Sequence, residues 1–512
     1  MAKILWADDE IDLLKPHILF LESKGHSITT ALSGNEAIDE TEENNFDIIF
    51  LDENMPGLTG LETLEKIKAK MPSVPIVMIT KSEEESIMEE AIGGRISDYL
   101  IKPVNPNQIL LSIKKNLEGK RLVSEKTTSS YQQEFRQIAM DLQDRLDEEE
   151  WKTLYKKIVY WDLQLAKSSD KSMKEVLEMQ KKEANDQFSR FVEKNYLNWV
   201  NGIDTPLMSN ELLRREVFPK LNNKPTFLVV IDNLRYDQWM VIRPILREYF
   251  TIDSEDMYYS ILPTATQYAR NAIFAGLMPL EIAKKHPKYW KNDEDEGGKN
   301  LFEKELLGEN LKRNRIETRF SYHKITNLNN GKKLVDNFSN LLNYEFNTIV
   351  YNFVDMLSHA RTDMEVIREL ADDETAYRSL TLSWFQHSPL FDIFKLIAQN
   401  KCNVIITTDH GTVKVDEPSK VVGDRNTNTN LRYKQGKNLT YQKKDVFEVK
   451  KPEEAFLPKQ NVSTTYIFAK DRKFFVYPNN YNHYLKYYKN TFQHGGISLE
   501  EVLIPIVHLT SK

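Results

Sequence analysis

Five short runs of apolar, often β-branched residues alternate with helical patterns over the first 120 residues, and this alternation constrains the fold most. The runs lie at residues 3–7, 27–31, 47–51, 75–79 and 96–100. Strands interleaved with helices form a parallel sheet that helices cover on both faces. The sequence therefore predicts an α/β domain over residues 1–120.

Polar residues stand where these predicted strands end, and the carboxyl ends of parallel strands meet at one edge of a sheet. They are Asp8, Asp9, Asp52, Thr80 and Lys102. Converging carboxylates repel one another unless a hard cation such as Mg²⁺ lies among them. One carboxylate can then act as a nucleophile and form an acyl phosphate. Taken singly, Asp8 or Asp9 could equally be a helix cap.

This set of residues resembles the response-regulator receiver family, which has the CheY-like (βα)5 fold. The resemblance implies that Asp52 accepts a phosphoryl group, that a histidine kinase supplies it, and that phosphorylation promotes a homodimer. It implies a switch made of Thr80, Tyr99 and Lys102, in which the tyrosine turns inward when the threonine moves, and a cis bond before Pro103. The implied Mg²⁺ ligands are Asp8, Asp9, Asp52 and Asn54.

Residues 121–205 are rich in charged and amide side chains, with no glycine from Lys120 to Asn201. Apolar residues recur at helical spacing, which predicts a helical-bundle connector of about three helices. The aromatic residues Trp151, Tyr155 and Trp161 fit either the bundle core or a groove for a partner. Because helices resist bending, we hypothesise that the connector transmits a rearrangement from the first domain.

Residues 206–512 contain three further buried-strand patterns, at 227–231, 347–354 and 403–408, each followed by potential metal ligands. A histidine near the end of the chain completes the set, which comprises Asp232, Asp355, His359, Asp409, His410 and His494. Imidazole and carboxylate together suit Zn²⁺. Six ligands exceed the needs of one open site, so two ions are expected. Singly, each of these residues has a structural alternative as a turn or packing residue.

A hydroxyl nucleophile is predicted at Thr266, which begins a helical run that closes at Gly276. Backbone N–H groups and the helix dipole favour negative charge at that position. Two arginines, Arg235 and Arg270, are candidate contacts for a phosphate substrate.

The order of these residues resembles the alkaline phosphatase superfamily, including nucleotide pyrophosphatase/phosphodiesterases and PglZ-type domains, and it implies an α/β domain with a mainly parallel sheet. One zinc would be held by Asp355, His359 and His494, and the other by Asp232, Asp409, His410 and Thr266. A threonine nucleophile resembles the phosphodiesterase branch. Receiver, connector and PglZ-type domain in this order resemble the PorX-like response regulators of the Bacteroidetes type IX secretion system.

The expected function is a phosphorylation-regulated, zinc-dependent phosphodiesterase. A basic stretch with tyrosines at 412–445 suggests cyclic or linear (oligo)nucleotide substrates, although a solvated loop explains it equally. The alternatives are a phosphomonoesterase, or a binding module for a sigma factor or secretion component. We also expect residues 285–330 to be a cap-like insertion, with an exposed acidic run at 292–296.

Composition limits the other possibilities. The formal net charge is -7, so no global basic field attracts nucleic acid or an anionic membrane. The single cysteine, Cys402, excludes an intramolecular disulfide and cysteine-rich zinc motifs. The sequence shows no DNA-reading motif, signal peptide or membrane-spanning run, which predicts a cytoplasmic protein.

Overall fold

The computed structural model describes the chain in two compact units, Met1–Gln132 with Lys167–Asp170, and Gln133–Ala166 with Lys171–Lys512. The described residues are 2–512 apart from a set of short gaps. The gaps are 73, 81–95, 119–130, 132–133, 168–170, 222–223, 365–372, 425–426, 460 and 480, together with the side chains of 118, 171 and 359–363.

The first unit contains a five-stranded sheet in the order β2-β1-β3-β4-β5, with every neighbouring pair parallel. Its strands are β1 (Lys3–Ala7), β2 (Ser27–Ala31), β3 (Ile48–Asp52), β4 (Ile76–Thr80) and β5 (Asp98–Ile101). Its helices are α1 (Lys15–Ser23), α2 (Gly34–Glu43), α3 (Gly60–Lys70) and α4 (Pro106–Ile113). The predicted CheY-like receiver fold is confirmed, with strand bounds within about two residues of expectation. The helix expected between β4 and β5 lies outside the described residues.

Alternation along the strands places apolar residues on both faces of this sheet. Leu5 and Ile49 pack with α3 residues on one face, whereas Trp6 and Phe50 pack with Ile109 on the other. The middle strands β3 and β4 are buried along their whole length. Such continuous apolar runs are what a sheet covered on both faces requires.

The second unit contains a mixed six-stranded sheet in the order β7-β18-β10-β6-β9-β8, in which only β18 runs against the others. The strands of the whole second unit are β6 (Thr226–Ile231), β7 (Phe250–Tyr259), β8 (Phe320–Ile325), β9 (Phe346–Tyr351), β10 (Asn403–Thr407), β11 (Val413–Lys414), β12 (Glu417–Lys420), β13 (Tyr433–Gly436), β14 (Val446–Val449), β15 (Thr465–Ala469), β16 (Lys473–Val476), β17 (Phe492–Gln493) and β18 (Leu503–Ser511). The strands β11 to β17 form three smaller sheets. The mainly parallel central sheet agrees with expectation.

The helices of the second unit cover this sheet. They are α5 (Glu148–Ala166), α6 (Lys171–Val200), α7 (Tyr236–Tyr249), α8 (Thr266–Ala275), α9 (Pro279–Lys285), α10 (Glu303–Arg313), α11 (Leu328–Asp336), α12 (Phe338–Leu341), α13 (Phe353–Asp363), α14 (Glu374–His387), α15 (Pro389–Gln399), α16 (Tyr481–Tyr488) and α17 (Leu499–Val502). None of the described helices is long and apolar enough to cross a membrane.

The predicted connector, 121–205, does not form a compact unit of its own, because its helices share a core with the C-terminal domain. It has helices at 134–141, α5 and α6. The Phe188 ring stacks against Tyr259 with ring centroids 6.4 Å apart, and Trp199 contacts the same tyrosine edge-on at 5.2 Å. The stripe of Trp151, Tyr155 and Trp161 is buried in this core. Of the two readings of the stripe, core packing is therefore observed.

The structure corrects the expectation that 285–330 is a cap-like insertion. Residues Phe320–Ile325 form β8, the edge strand of the central sheet, and pair in parallel with β9. Helix α10 places the buried Glu303 beside Arg270 on α8. Only the acidic run at 294–296 is exposed as expected, since Asp293 is partly buried and accepts a hydrogen bond from Tyr433.

Candidate active site

The predicted metal ligands of the second unit gather at the carboxyl-end edge of its central sheet. Asp232 follows β6, Asp409 and His410 follow β10, and Asp355 lies in the first turn of α13, just after β9. Donor atoms of Asp232, Asp409 and His410 all lie within 4.8 Å of one another, and all three residues are buried. Parallel neighbouring strands bring these distant residues together, as the strand pattern predicts.

Thr266 is the first residue of α8, and its half-buried hydroxyl faces this cluster. The Thr266 Oγ1 lies 3.0 Å from His410 Nε2 and 3.4 Å from Asp232 Oδ1. As a first-turn residue it stands at the positive end of the helix dipole, where N–H groups without helical partners favour an anion. The predicted nucleophile is thus placed beside the predicted ligands.

The two site histidines are oriented by backbone carbonyl groups. His410 Nδ1 lies 3.2 Å from Gly411 O, and His494 Nδ1 lies 3.1 Å from Thr264 O. A carbonyl oxygen only accepts, so each Nδ1 carries a proton, and a ring that is neutral in this tautomer presents its Nε2 lone pair. Burial lowers the pKa of His410, which keeps that ring neutral at pH 7. The two rings stack with centroids 4.2 Å apart.

Each Nε2 faces a carboxylate at a distance that a cation would bridge. His410 Nε2 lies 3.8 Å from Asp232 Oδ1, and His494 Nε2 lies 3.7 Å from Asp355 Oδ1. At His410, whose ring is neutral, the Nε2 lone pair and the carboxylate are both acceptors and cannot hydrogen-bond to each other. The Oδ2 atom of Asp409 is also buried without a hydrogen-bond partner among the described residues. This donor set fits a transition metal such as zinc.

Burial makes the cluster unfavourable as a group of free anions. Burial raises the pKa of Asp232 to about 8, with Arg270 opposing the rise and Asp409 and Asp355 adding to it. Burial also raises the pKa of Asp409, against the Arg270 charge. A bound dication would favour the ionised carboxylates.

Arg270 is placed beneath the cluster as part of a buried ion-pair chain. Its Nη1 lies 2.7 Å from Asp232 Oδ2 and its Nε lies 2.6 Å from Glu303 Oε1. The arginine is only 1% exposed. Its guanidinium therefore orients a predicted ligand, and the prediction that it contacts substrate phosphate is not supported.

Arg235 is also engaged in a buried ion pair, which corrects the prediction that it contacts a substrate phosphate. Its guanidinium binds Asp237 through Nε, at 2.8 Å, and through Nη2, at 2.5 Å. The side chain is buried, and its guanidinium carbon lies 5.7 Å from the Tyr377 ring centroid and 5.2 Å from that of Phe492. These contacts leave Arg235 as a structural ion pair.

Of the predicted zinc ligands Asp355, His359 and His494, the structure describes the side chains of two. Asp355 receives a hydrogen bond from Asn233 Nδ2 at 3.3 Å, and His494 approaches it as given above. His359 lies on α13, but its side chain is outside the described residues.

Sequence reasoning missed three residues that shape the site. Asn233 has φ 66° and donates its backbone N–H to Asp409 Oδ1 at 3.3 Å. Thr264 fixes His494 through its carbonyl, and Asn300 Nδ2 donates to Thr266 O at 3.0 Å. The Asp-Asn pair at the end of β6 was a usable signal, because asparagine tolerates a left-handed backbone at tight turns.

The basic stretch at 412–445 is only partly a surface. Arg432 is fully buried and pairs with Glu501, and Lys434 is 2% exposed. Burial lowers the pKa of Lys434 to about 7. Four lysines of this stretch remain exposed, Lys420, Lys437, Lys443 and Lys444. Arg425 lies outside the described residues.

The first unit assembles the predicted phosphorylation site. Donor oxygens of Asp8, Asp9 and Asp52 lie within 4.8 Å of one another. Lys102 Nζ lies 2.9 Å from Asp52 Oδ2 and 3.0 Å from Asp8 Oδ2. Burial raises the pKa of Asp52, opposed by its hydrogen bond from Lys102. These three carboxylates suit Mg²⁺.

The remaining predicted receiver residues lie on neighbouring strands and in the loop after β3. Thr80 ends β4 and is buried, whereas Tyr99 on β5 is 42% exposed and so faces outward. Asn54 lies in the loop after β3 with its side chain exposed, which is compatible with a ligand role for its carbonyl. The Lys102–Pro103 bond is cis, as expected.

Comparison with known families matches three consecutive segments of the chain. Residues 212–509 match the BREX system PglZ alkaline phosphatase-like domain, which is more than half of the chain. The chain belongs to this PglZ alkaline phosphatase-like family. Residues 4–114 match the response regulator receiver domain, and residues 121–200 match the PorX response regulator linker domain. The PorX-like architecture predicted from the sequence is thereby confirmed.

Curated relatives match the receiver. The transcriptional regulatory protein ResD of Bacillus subtilis is 36% identical over 113 residues, which cover 22% of this chain and 47% of ResD. A CpxR homolog of Haemophilus influenzae is 34% identical over 116 residues, covering 22% of this chain and 49% of the relative. The chain thus spans less than half the length of these relatives. Among solved structures, Vibrio cholerae CheY4 shows 32% identity and a TM-score of 0.22, covering 23% of this chain and 99% of CheY4.

The protein is therefore a two-component response regulator with a receiver domain and a PglZ alkaline phosphatase-like domain. The match to the PglZ alkaline phosphatase-like domain places residues 212–509 in a superfamily of phosphatases and related hydrolases.

Proposed function

We propose that the PglZ-like domain is a zinc-dependent phosphodiesterase in which Thr266 is the nucleophile. The observation that carries the proposal is that a histidine Nε2 faces a carboxylate at two places, and that the Thr266 hydroxyl lies beside one of these pairs. In this arrangement Asp232, Asp409 and His410 would hold one zinc, and Asp355 and His494, with His359, would hold the other. Bound zinc would lower the pKa of the hydroxyl and offset charge on the phosphoryl oxygens.

The residues of the chain position the hydroxyl. Thr266 Oγ1 lies beside His410 Nε2 and Asp232 Oδ1. With zinc held by these two residues, the acidified hydroxyl would lose its proton to water. The Thr266 Oγ1 then attacks phosphorus in line, the bond to the leaving oxygen breaks, and that oxygen takes a proton from water. The N-terminal N–H groups of α8 favour the anionic phosphoryl group. Water then cleaves the threonyl ester and restores the hydroxyl.

Substrate class and regulation extend this proposal. The threonine nucleophile favours diesters, and the exposed lysines at 420, 437, 443 and 444 suit a polyanion such as a cyclic or linear oligonucleotide. Phosphorylation at Asp52, with Mg²⁺ held in the receiver, would regulate the activity through a homodimer. The match to the PorX linker domain supports a role in type IX secretion, with a sigma factor or secretion component as a further partner.

The test compares variants of Thr266 in zinc-loaded protein. We expect two zinc ions per chain by metal analysis and turnover of bis(4-nitrophenyl) phosphate. Thr266→Ala should lose at least about a thousandfold in kcat, whereas Thr266→Ser retains a hydroxyl and measurable turnover. Thr153→Ala, at an exposed site on α5, is the matched control and should behave as wild type.

Three results would contradict parts of the proposed function. Equal rates for wild type and Thr266→Ala would refute the nucleophile. Faster turnover of 4-nitrophenyl phosphate than of the diester would make the domain a phosphomonoesterase. Stoichiometric zinc without any turnover would favour a binding module, and capture of a sigma factor or secretion component would identify its partner.

A further inference from the structure

Two buried polar residues of the linker helix α6 face the segment that carries His494. Asn185 is 1% exposed and Ser189 is 0% exposed, although both lie on a helix rich in charged residues. Buried polar side chains are retained where they have partners, since an unpaired one costs about 1–3 kcal/mol. Their partners therefore show what this face of α6 does.

Those partners lie in residues 494–501, which we call the His494 strap. Asn185 Nδ2 donates to Glu500 Oε2 at 3.0 Å, and Asn185 Oδ1 accepts from the Leu499 N–H at 2.7 Å. One turn further along α6, Ser189 Oγ donates to Ile497 O at 3.1 Å. The amide of Asn185 is thus bonded at both ends to the strap.

The strap in turn contacts the two segments that carry Thr266 and His410. Thr264 Oγ1 accepts from the Gly495 N–H at 3.0 Å and donates to Gly496 O at 2.8 Å. On the other side, the Gly411 N–H donates to Glu501 O at 3.3 Å. A Cβ at Gly411 would lie 2.0 Å from Glu500 O, so the strap and the His410 segment are packed as closely as glycine allows.

The position of His494 depends on this strap. Its Nδ1 is fixed by Thr264 O, and Thr264 is itself bonded to the strap at Gly495 and Gly496. Movement of the strap would therefore move the His494 Nε2 relative to Asp355. A small displacement of a ligating group is costly in catalysis, because reacting groups must be held within about 0.5 Å of their productive positions.

We propose that Asn185 is a positioning residue for the active site, acting through the His494 strap. The linker helix is then a part of the scaffold of the site, and a shift of α6 is transmitted to His494. The inference rests on the proposed function, in which His494 binds metal. Asn185 itself touches neither substrate nor metal.

Asn195 provides the matched control on the same helix. Among the described residues, its Nδ2 donates only to the carbonyl of Phe191, within α6, at 2.9 Å. Asn195→Ala therefore makes the same chemical change as Asn185→Ala without touching the strap. A second, conservative variant combines Asn185→Asp with Glu500→Gln, which exchanges donor and acceptor and preserves both hydrogen bonds to the strap.

The experiment uses full-length protein loaded with Co²⁺, whose visible spectrum reports ligand geometry, alongside the zinc form for kinetics. For Asn185→Ala we expect kcat to fall at least about tenfold with KM within about twofold, and the Co²⁺ bands to shift. Asn195→Ala should match wild type, and the Asp/Gln double variant should recover both readouts. A lower Tm with unchanged kcat and unchanged Co²⁺ bands would overturn the proposal, since it would show a merely structural role.

The Co²⁺ spectrum separates this inference from the proposed activity. If the wild type binds Co²⁺ but turns over no diester, the proposed function fails. Shifted bands in Asn185→Ala would still support the positioning role in that case, and unshifted bands would refute it.

Discussion

Replacing Asp232 by asparagine removes the carboxyl group whose pKa burial raises to about 8. In metal-free protein the folded state therefore holds a proton on this residue between about pH 4 and pH 8, while the unfolded state does not. Stability falls with rising pH wherever the folded state binds more protons than the unfolded state. The stabilising contribution is complete below about pH 4 and is lost as the pH rises through about 8.

The magnitude follows from the size of the shift. Each pH unit inside the window changes the free energy of unfolding by slightly more than about 1 kcal/mol for one proton. Between pH 5.5 and pH 7.5 the wild type should lose about 2 to 3 kcal/mol that the asparagine variant does not lose, because an amide does not titrate. The residue is 1% exposed, so screening by solvent reduces this value little.

The assay is urea unfolding in EDTA at four pH values, followed by tryptophan fluorescence. Six of the seven tryptophans lie in the second unit and only Trp6 lies in the receiver, so the signal reports mainly the relevant unit. Asp392→Asn, at a surface position on α15, controls for the general effect of removing a carboxylate. The quantity compared is the pH slope of the free energy of unfolding.

Parallel slopes for wild type and Asp232→Asn would refute the reasoning. They would show that the carboxyl group is ionised in the folded apoprotein, and hence that Arg270 alone neutralises it.

Three further outcomes are expected. Lys102→Ala should slow phosphorylation by acetyl phosphate about tenfold or more, measured by intact mass, because the acyl phosphate loses a charge-assisted partner. Gly411→Ala should cost about 1–3 kcal/mol or more in urea unfolding and reduce bound zinc, since its Cβ would overlap Glu500 O. Arg432→Met should cost about 3–5 kcal/mol by leaving the buried Glu501 carboxylate without its cation, and adding Glu501→Met should recover only part of that loss, because the Gly496 N–H then loses its acceptor.

The receiver could be predicted closely because its local and long-range signals agree. Its buried strands are continuous apolar runs, and its chemistry lies directly at their ends, as at Asp52 and Lys102. The same rule located Asp232, Asp409 and His410, which follow strands of the second unit that are buried along all or nearly all of their length. In both units the sheet itself brings the predicted residues together.

The edge strand β8 of the second sheet was not predicted, and the reason is physical. Strand β8 is mostly half-buried and carries Tyr322, His323 and Lys324, so it lacks the apolar run of a central strand. An edge strand needs no such run, since one side of its ladder has no neighbour. Residues 285–330 therefore looked like an insertion.

The supporting contacts of the site also could not be read from the sequence. Arg270 pairs with Glu303 across an intervening loop, and Asn185 meets Glu500 from 315 positions away. Such side chains have ordinary surface alternatives until tertiary packing buries them. This is why both arginines were predicted as substrate contacts and the role of Asn185 was not foreseen.

The position of β18 has a consequence for how the second unit is made. This strand comes last in the sheet by chain order, yet it lies between β7 and β10, which precede it. Until it emerges from the ribosome, those two strands present open edges that can pair with other chains. The sheet, and with it the edge that carries the candidate site, can close only after β18 has been translated, so the candidate site is assembled late in synthesis.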